Sequence, residues 1–117
     1  MDLSNVTLTQ LRYVVAVDRL RSFRAAAEHC HVSQPALSMQ VGRLEELLDL
    51  TLFDRSRQPV VVTERGATVV AQARAILREM ERLGDAARSS AEIAGRYRLG
   101  VIPSLAPTLV PRFLPAF

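Results

Sequence analysis

The chain has 117 residues, 49% of them apolar and 23% charged, with one Cys and no Trp; this is enough for about one globular domain and too little for a multidomain enzyme. All 15 basic residues are Arg, set against 12 acids, which gives a formal charge of +3 and a pI near 10. Residues 1–66 nevertheless carry 8 Arg and 8 acids, and the whole excess lies in residues 96–117, so net charge alone excludes nothing and supports no electrostatic account of nucleic-acid binding.

In chain order, Thr7 followed by Gln10 forms a capping box, and Leu8, Leu11, Val14, Val15 and Val17 recur with helical spacing, which predicts a first helix from 8 to about 20. Ser22 is the next N-cap; Phe23, Ala26, Ala27 and Cys30 line one face of a short helix over 23–30, with alanines small enough for another helix to approach closely. Ser33 caps a third helix with Pro35 in its first turn and an apolar stripe of Leu37, Val41, Leu44 and Leu48. The second and third helices, joined by His31 and Val32, make a helix-turn-helix.

Beyond Leu50 an extended piece over 51–53, the turn DRSRQP and the β-branched run Val60, Val61 and Val62 predict a small hairpin, or wing. Thr63 caps a long helix from Glu64 to about Ala94, ~45 Å at 1.5 Å per residue. Along it Val69, Ala73, Ile76, Met80, Leu83 and Ala87 form a heptad seam. The seam either packs on the chain's own three-helix core or needs a partner helix; its length exceeds what that core covers, which favours a second copy of the chain. Gly95 is expected to end this helix, RYRLGVI to form a strand, and the final residues to start a further helix, the opening of a second, incomplete β–α domain. The domain plan is thus 1–66, 67–94 and 95–117.

No apolar run approaches the ~20 residues of a membrane helix, and MDLSNVTLTQ lacks the marks of a signal peptide, so a cytosolic location is expected. Cys30 with His29 and His31 supplies too few and too divergent ligands for a metal. Phosphate-loop glycines, nucleophile elbows and catalytic triads are missing, so the chain reads as a non-enzyme without metal or cofactor.

On a helical wheel, Pro35, Met39 and Gly42 lie opposite the buried stripe of the third helix, with Ser38 and Arg43 on the flanks. This narrow, nearly uncharged face suits the DNA major groove: Gln34 and Ser38 reach base edges, Gly42 permits close approach, and the N–H groups after Ser33 hold a phosphate. Arg55 and Arg57 in the wing, with Arg19, Arg21 and Arg24 near the second helix, are expected to position the backbone.

The run SFRAAAEHCHVSQPALSMQVGRLEELLDLTLFDRS followed by VTERG resembles the winged helix-turn-helix of the LysR-type transcriptional regulators. CHVSQPALSMQ and RLGVIPSLAPTLVPRFLP are most similar to the peroxide-responsive branch of that family. The resemblance implies a sequence-specific regulator without enzymatic activity, a linker helix that dimerises, and the start of a periplasmic-binding-protein-like sensor domain. It implies base contacts from Gln34, Pro35 and Ser38 and backbone contacts at Ser33, Arg55 and the wing, which carries Arg57; Arg24, Arg43 and Met39 are further candidates for backbone contact. It further implies double-stranded DNA with an interrupted inverted repeat, homodimers that become tetramers in the full-length protein, and RNA polymerase as a candidate partner.

Met39 and Gly42 depart from the family pattern by standing where many relatives place Arg, Lys or another polar residue. Asp49 holds a place usually given to Gly, and Leu47, replacing an acidic residue, is expected to be exposed. A metabolite-responsive regulator of the same family and an architectural DNA-binding protein are the competing readings.

Overall fold

The computed structural model describes the backbone of residues 1–98 and the side chains of residues 1–89. The elements are α1 (Leu8–Leu20), α2 (Phe23–Cys30), α3 (Gln34–Leu48), β1 (Phe53–Asp54), β2 (Val61–Val62) and α4 (Glu64–Arg98). The chain divides into two compact units, Met1–Glu79 and the residues from Met80 on.

In the first unit, local chemistry sets the helix starts. The Thr7 hydroxyl accepts from the Gln10 N–H at 3.1 Å, and the Gln10 side-chain oxygen accepts from the Thr7 N–H at 3.0 Å. Gln10 is only 4% exposed, and its amide nitrogen donates to Gln40 on α3 at 3.1 Å, so this cap also ties α1 to α3 without stranding a buried polar group. The Ser22 and Ser33 hydroxyls accept from the N–H groups of Ala25 and Ala36. All three helix starts therefore follow the side-chain capping pattern.

The helix ends are alike as well. Arg21, His31 and Asp49 all take left-handed conformations, with φ of 54°, 60° and 56°. After α2, the Val32 N–H reaches the Ala27 carbonyl and the His31 N–H that of Glu28; after α3, Leu50 reaches Glu45 and Asp49 reaches Glu46. Both are Schellman closures. Two in succession turn α2 sharply into α3 and α3 into the wing.

Between the helices lies one core. Val14, Val17, Ala26, Leu37, Val41 and Leu44 are wholly buried, and Leu52, Phe53, Val60, Val70 and Ala73 extend the core under the wing and the start of α4. The wing is a two-stranded antiparallel ladder pairing Phe53 with Val62 and Asp54 with Val61. Its first strand starts two residues later than expected because Thr51 and Leu52 are engaged elsewhere. The Thr63 hydroxyl donates to the Thr51 carbonyl at 2.6 Å, while Leu52 donates to Glu45 and accepts from the Thr63 N–H. Val60 likewise donates to the Arg21 carbonyl at 3.0 Å, anchoring the wing to the α1–α2 turn.

Thr63 caps α4 through the Gly66 N–H at 2.9 Å. Gly66 is required here: a Cβ on it would lie 2.4 Å from the Leu52 carbonyl oxygen. Arg74 on α4 meets the Asp18 carboxylate at 2.6 Å, and Arg21 meets its other oxygen at 3.1 Å.

Three expectations are corrected. α4 does not stop at Gly95 but continues to Arg98, so residues 96–98 are helical rather than strand; an isolated glycine costs a helix only about 1 kcal/mol, which helix-forming neighbours such as Ala94 and Arg96 offset. The remaining part of the expected strand and sensor-domain start, 99–117, lies outside the described residues. Leu47 is half-buried rather than exposed. The heptad seam is also not one continuous surface: Val69 and Ala73 pack on the chain's own core, whereas Ile76 is 40% and Leu83 71% exposed and Ala87 is exposed. Met80 is half-buried.

Candidate nucleic-acid interface

With Leu37, Val41 and Leu44 facing the core, α3 turns its opposite side outward: Ser33, Gln34, Pro35, Met39 and Arg43 are exposed and Ser38 is half-buried. The N-terminal half of α3, the start of α2 and the wing surround an open cleft of about 390 Å³. Residues far apart in sequence, Ser22, Arg24, Gln34, Ser38, Arg55 and Gln58, line it. Over its first two turns, up to Arg43, the outward face of α3 is uncharged, as drawn from the helical wheel; one turn beyond Gly42 the exposed Glu46 adds a negative charge to the same face.

Arg55 does not extend from the wing tip as a free cation. One guanidinium nitrogen donates to the Ser38 hydroxyl oxygen at 2.8 Å, another reaches Glu45 at 3.3 Å, and the plane lies 4.3 Å from the Phe23 ring centroid. Phe23 in turn meets Phe53 edge to face at 6.0 Å, which fixes the ring under the cation. Glu45 completes the arrangement, its second oxygen accepting from the N–H groups of Leu52 at 2.7 Å and Phe53 at 3.4 Å.

This network has a chemical consequence at the reading face. Because Ser38 accepts from Arg55, its own O–H remains available as a donor. Neither Glu45 nor Phe23 was singled out from the sequence as contributing to the site. The only signal there was Glu45 as an acidic residue near the buried side of α3, and its partners become visible only when the wing folds back.

The remaining arginines differ in readiness. The Arg24 and Arg57 side chains are 83% and 71% exposed, with loose ion pairs to Glu28 and Asp54 at 3.6 Å each. Arg21 bonds the Asp18 carbonyl and carboxylate, and Arg19 meets His29 at 2.9 Å, so these two, expected near the phosphates, are engaged within the chain. Met39 was expected among the backbone contacts, but its thioether has no hydrogen to donate to a phosphate. Hydrogen bonds from the Ser56 hydroxyl and N–H, with Arg57 nearby, hold the Asp54 carboxyl below the ordinary carboxylate range. Cys30 packs against the core, where burial pushes its thiol up, away from the reactive thiolate.

A helix-turn-helix on a three-helix core, closed by a two-stranded wing and followed by a long helix, defines the winged helix-turn-helix class of protein. Residues 8–67 match the family model of the bacterial regulatory helix-turn-helix proteins of the lysR family, and the chain belongs to that family. It is 40% identical over 111 residues to a hydrogen peroxide-inducible genes activator of Pectobacterium carotovorum subsp. carotovorum, covering 94% of this chain and 37% of that protein. The chain therefore spans little more than a third of such relatives.

The RuBisCO operon transcriptional regulator of Allochromatium vinosum is 51% identical over 80 residues, 66% of this chain and 26% of that protein. Among solved structures, full-length OxyR from Pseudomonas aeruginosa is similar with a TM-score of 0.70 and 41% identity, over 73% of this chain and 29% of that one. The BenM DNA-binding domain, solved in complex with benA site 1 DNA, is similar with a TM-score of 0.71 and 34% identity, over 74% of this chain and 97% of that one. Among the described residues no helix is long and apolar enough to cross a membrane.

Proposed function

We propose that this chain is the DNA-binding and dimerising part of a sequence-specific, cytoplasmic transcriptional regulator that activates genes in response to hydrogen peroxide. The observation that carries the reading is the outward face of α3. Gln34, Pro35 and Ser38 stand exposed or half-exposed on a helix whose other face is buried, with Arg24, Arg43 and Arg57 exposed at the rim and cleft. In this reading α3 enters the major groove, Gln34 pairs with a base edge, Ser38 donates to an acceptor, and the N–H groups after Ser33 take a phosphate. Ile76, Met80, Leu83 and Ala87 meet a second copy, which sets two α3 helices on the halves of an interrupted inverted repeat. In the full-length regulator such dimers pair into tetramers, with RNA polymerase as a downstream partner and no catalytic role.

The peroxide assignment is supported by the span of the likeness, which covers 94% of the chain and so runs past the winged domain into the long helix and beyond. The likeness to a RuBisCO operon regulator, higher over a shorter stretch, favours a second reading, a metabolic regulator with the same DNA-binding half. Peroxide treatment of a regulator carrying this chain separates the two: a changed DNA footprint supports the first, an unchanged one the second.

Fluorescence anisotropy with a palindromic duplex at two salt concentrations tests DNA binding itself. Binding is expected to weaken steeply with salt, and Arg57→Ala to lower affinity for all sequences and reduce the salt slope by about 1. Arg57 is preferred to Arg55 for this purpose, because removing Arg55 also unseats Ser38 and Glu45. Absence of salt-dependent binding by the unaltered chain overturns the proposal.

A further inference from the structure

The outward face of α3 contains two residues that the chain's own packing does not explain. Met39 is a large apolar side chain left 52% exposed among polar neighbours. Gly42 lies mid-helix, where glycine is a poor choice, and a Cβ placed on it meets nothing within 4 Å. No buried contact, turn or positive φ within the chain requires the glycine. On the wheel the two lie side by side with Pro35, one turn before Met39, and are flanked by Ser38 on one edge and Arg43 on the other. The surface is an apolar strip, flat at Gly42 and raised at Met39, bordered by hydrogen-bonding groups.

The edges of DNA bases in the major groove offer hydrogen-bond donors and acceptors and one apolar group, the C5 methyl of thymine. A strip with no donor or acceptor of its own gains nothing from the polar positions and matches only that methyl. We propose that Met39 and Gly42 form a thymine-methyl reading site, with Gly42 admitting the helix closely to the base pairs and the flexible thioether of Met39 closing over the methyl. The proposal rests on the DNA-binding reading above and adds a preference that Gln34 and Ser38 do not supply: thymine in each half-site at the positions facing the centre of α3.

The test uses the 117-residue chain. A duplex is selected by the chain from a random-sequence library, and each thymine in its half-sites is replaced by deoxyuridine, which keeps the O4 acceptor and removes only the methyl. The selected half-sites are expected to contain thymine. At one or two positions the uracil duplex should bind about fourfold more weakly per methyl lost, the worth of one buried methyl group. In Met39→Ala that difference should disappear.

Gly42→Ala serves as the second variant, because it introduces no internal clash. It should raise the thermal midpoint by roughly 4 °C while weakening binding to the selected duplex at least tenfold. Half-sites without thymine, equal affinity of the unaltered chain for thymine and uracil duplexes at every position, or a methyl effect that survives in Met39→Ala each overturn the proposal. A chain that binds duplex but ignores the methyl overturns this inference alone; a chain that selects no duplex overturns the DNA-binding reading with it.

Discussion

α3 and α4 both open on a side-chain cap and both carry an apolar stripe, but the stripes end differently. That of α3 is covered within the chain, with Leu37, Val41 and Leu44 wholly buried. That of α4 is covered only at its start, where Val69 packs against the core and Ala73 is 2% exposed; further on, Ile76 is 40% and Leu83 71% exposed. The same periodicity therefore has two meanings. In the function proposed above, the stripe satisfied internally leaves the opposite face of α3 to read DNA, whereas the uncovered stripe of α4 is itself the surface that meets a second copy.

Truncating the two stripes should separate these roles. Leu44→Ala is expected to cost about 2–5 kcal/mol of folding stability, measured by urea denaturation, since it opens a cavity in a closed core. Leu83→Ala should leave the unfolding of the winged domain within about 0.5 kcal/mol of the parent. It should instead raise the dimer dissociation constant about 100-fold in analytical ultracentrifugation, because symmetry removes two buried leucines at once. Equal destabilisation by both changes would erase the distinction.

Glu45→Ala probes how α3 holds the wing. The carboxylate accepts from two wing N–H groups and from Arg55, so its loss should cost about 1–3 kcal/mol in the same urea assay. Binding should weaken further than stability alone explains, because Arg55 no longer fixes Ser38. The smallest effect concerns the end of α3. Asp49 sits at φ 56° in a Schellman closure that favours glycine, and Asp49→Gly should stabilise the domain by about 0.5–1 kcal/mol, strain relief exceeding the entropy that glycine adds to the unfolded chain. A lower urea midpoint would contradict that balance.

What could be read from the sequence follows from the range of the interactions involved. The starts of helices α1 to α3 were legible because Thr7, Ser22 and Ser33 bond to N–H groups three residues away, and their buried stripes repeat within a few turns. The wing was displaced because Thr51 and Leu52 spend their hydrogen bonds on Thr63 and Glu45, partners that a local pattern of β-branched residues does not reveal. Gly95 misled for a related reason: a glycine marks a helix end only when its surroundings also favour stopping.

At the site, the outward residues Gln34, Pro35 and Met39 were visible from the wheel. The inward fold of Arg55 was not, since Phe23 and Ser38 lie 32 and 17 residues before it in the sequence. The basic pI proved a poor guide, because the whole charge excess lies in residues 96–117, whereas the arginines at the cleft are single residues within a segment that is neutral overall.

The central claim, that the outward face of α3 reads base sequence, is tested most directly by Gln34→Ala on the selected duplex and on a scrambled duplex of equal length at one salt concentration. The account predicts a loss of about 1–3 kcal/mol on the selected duplex and no change on the scrambled one; an equal loss on both would contradict it.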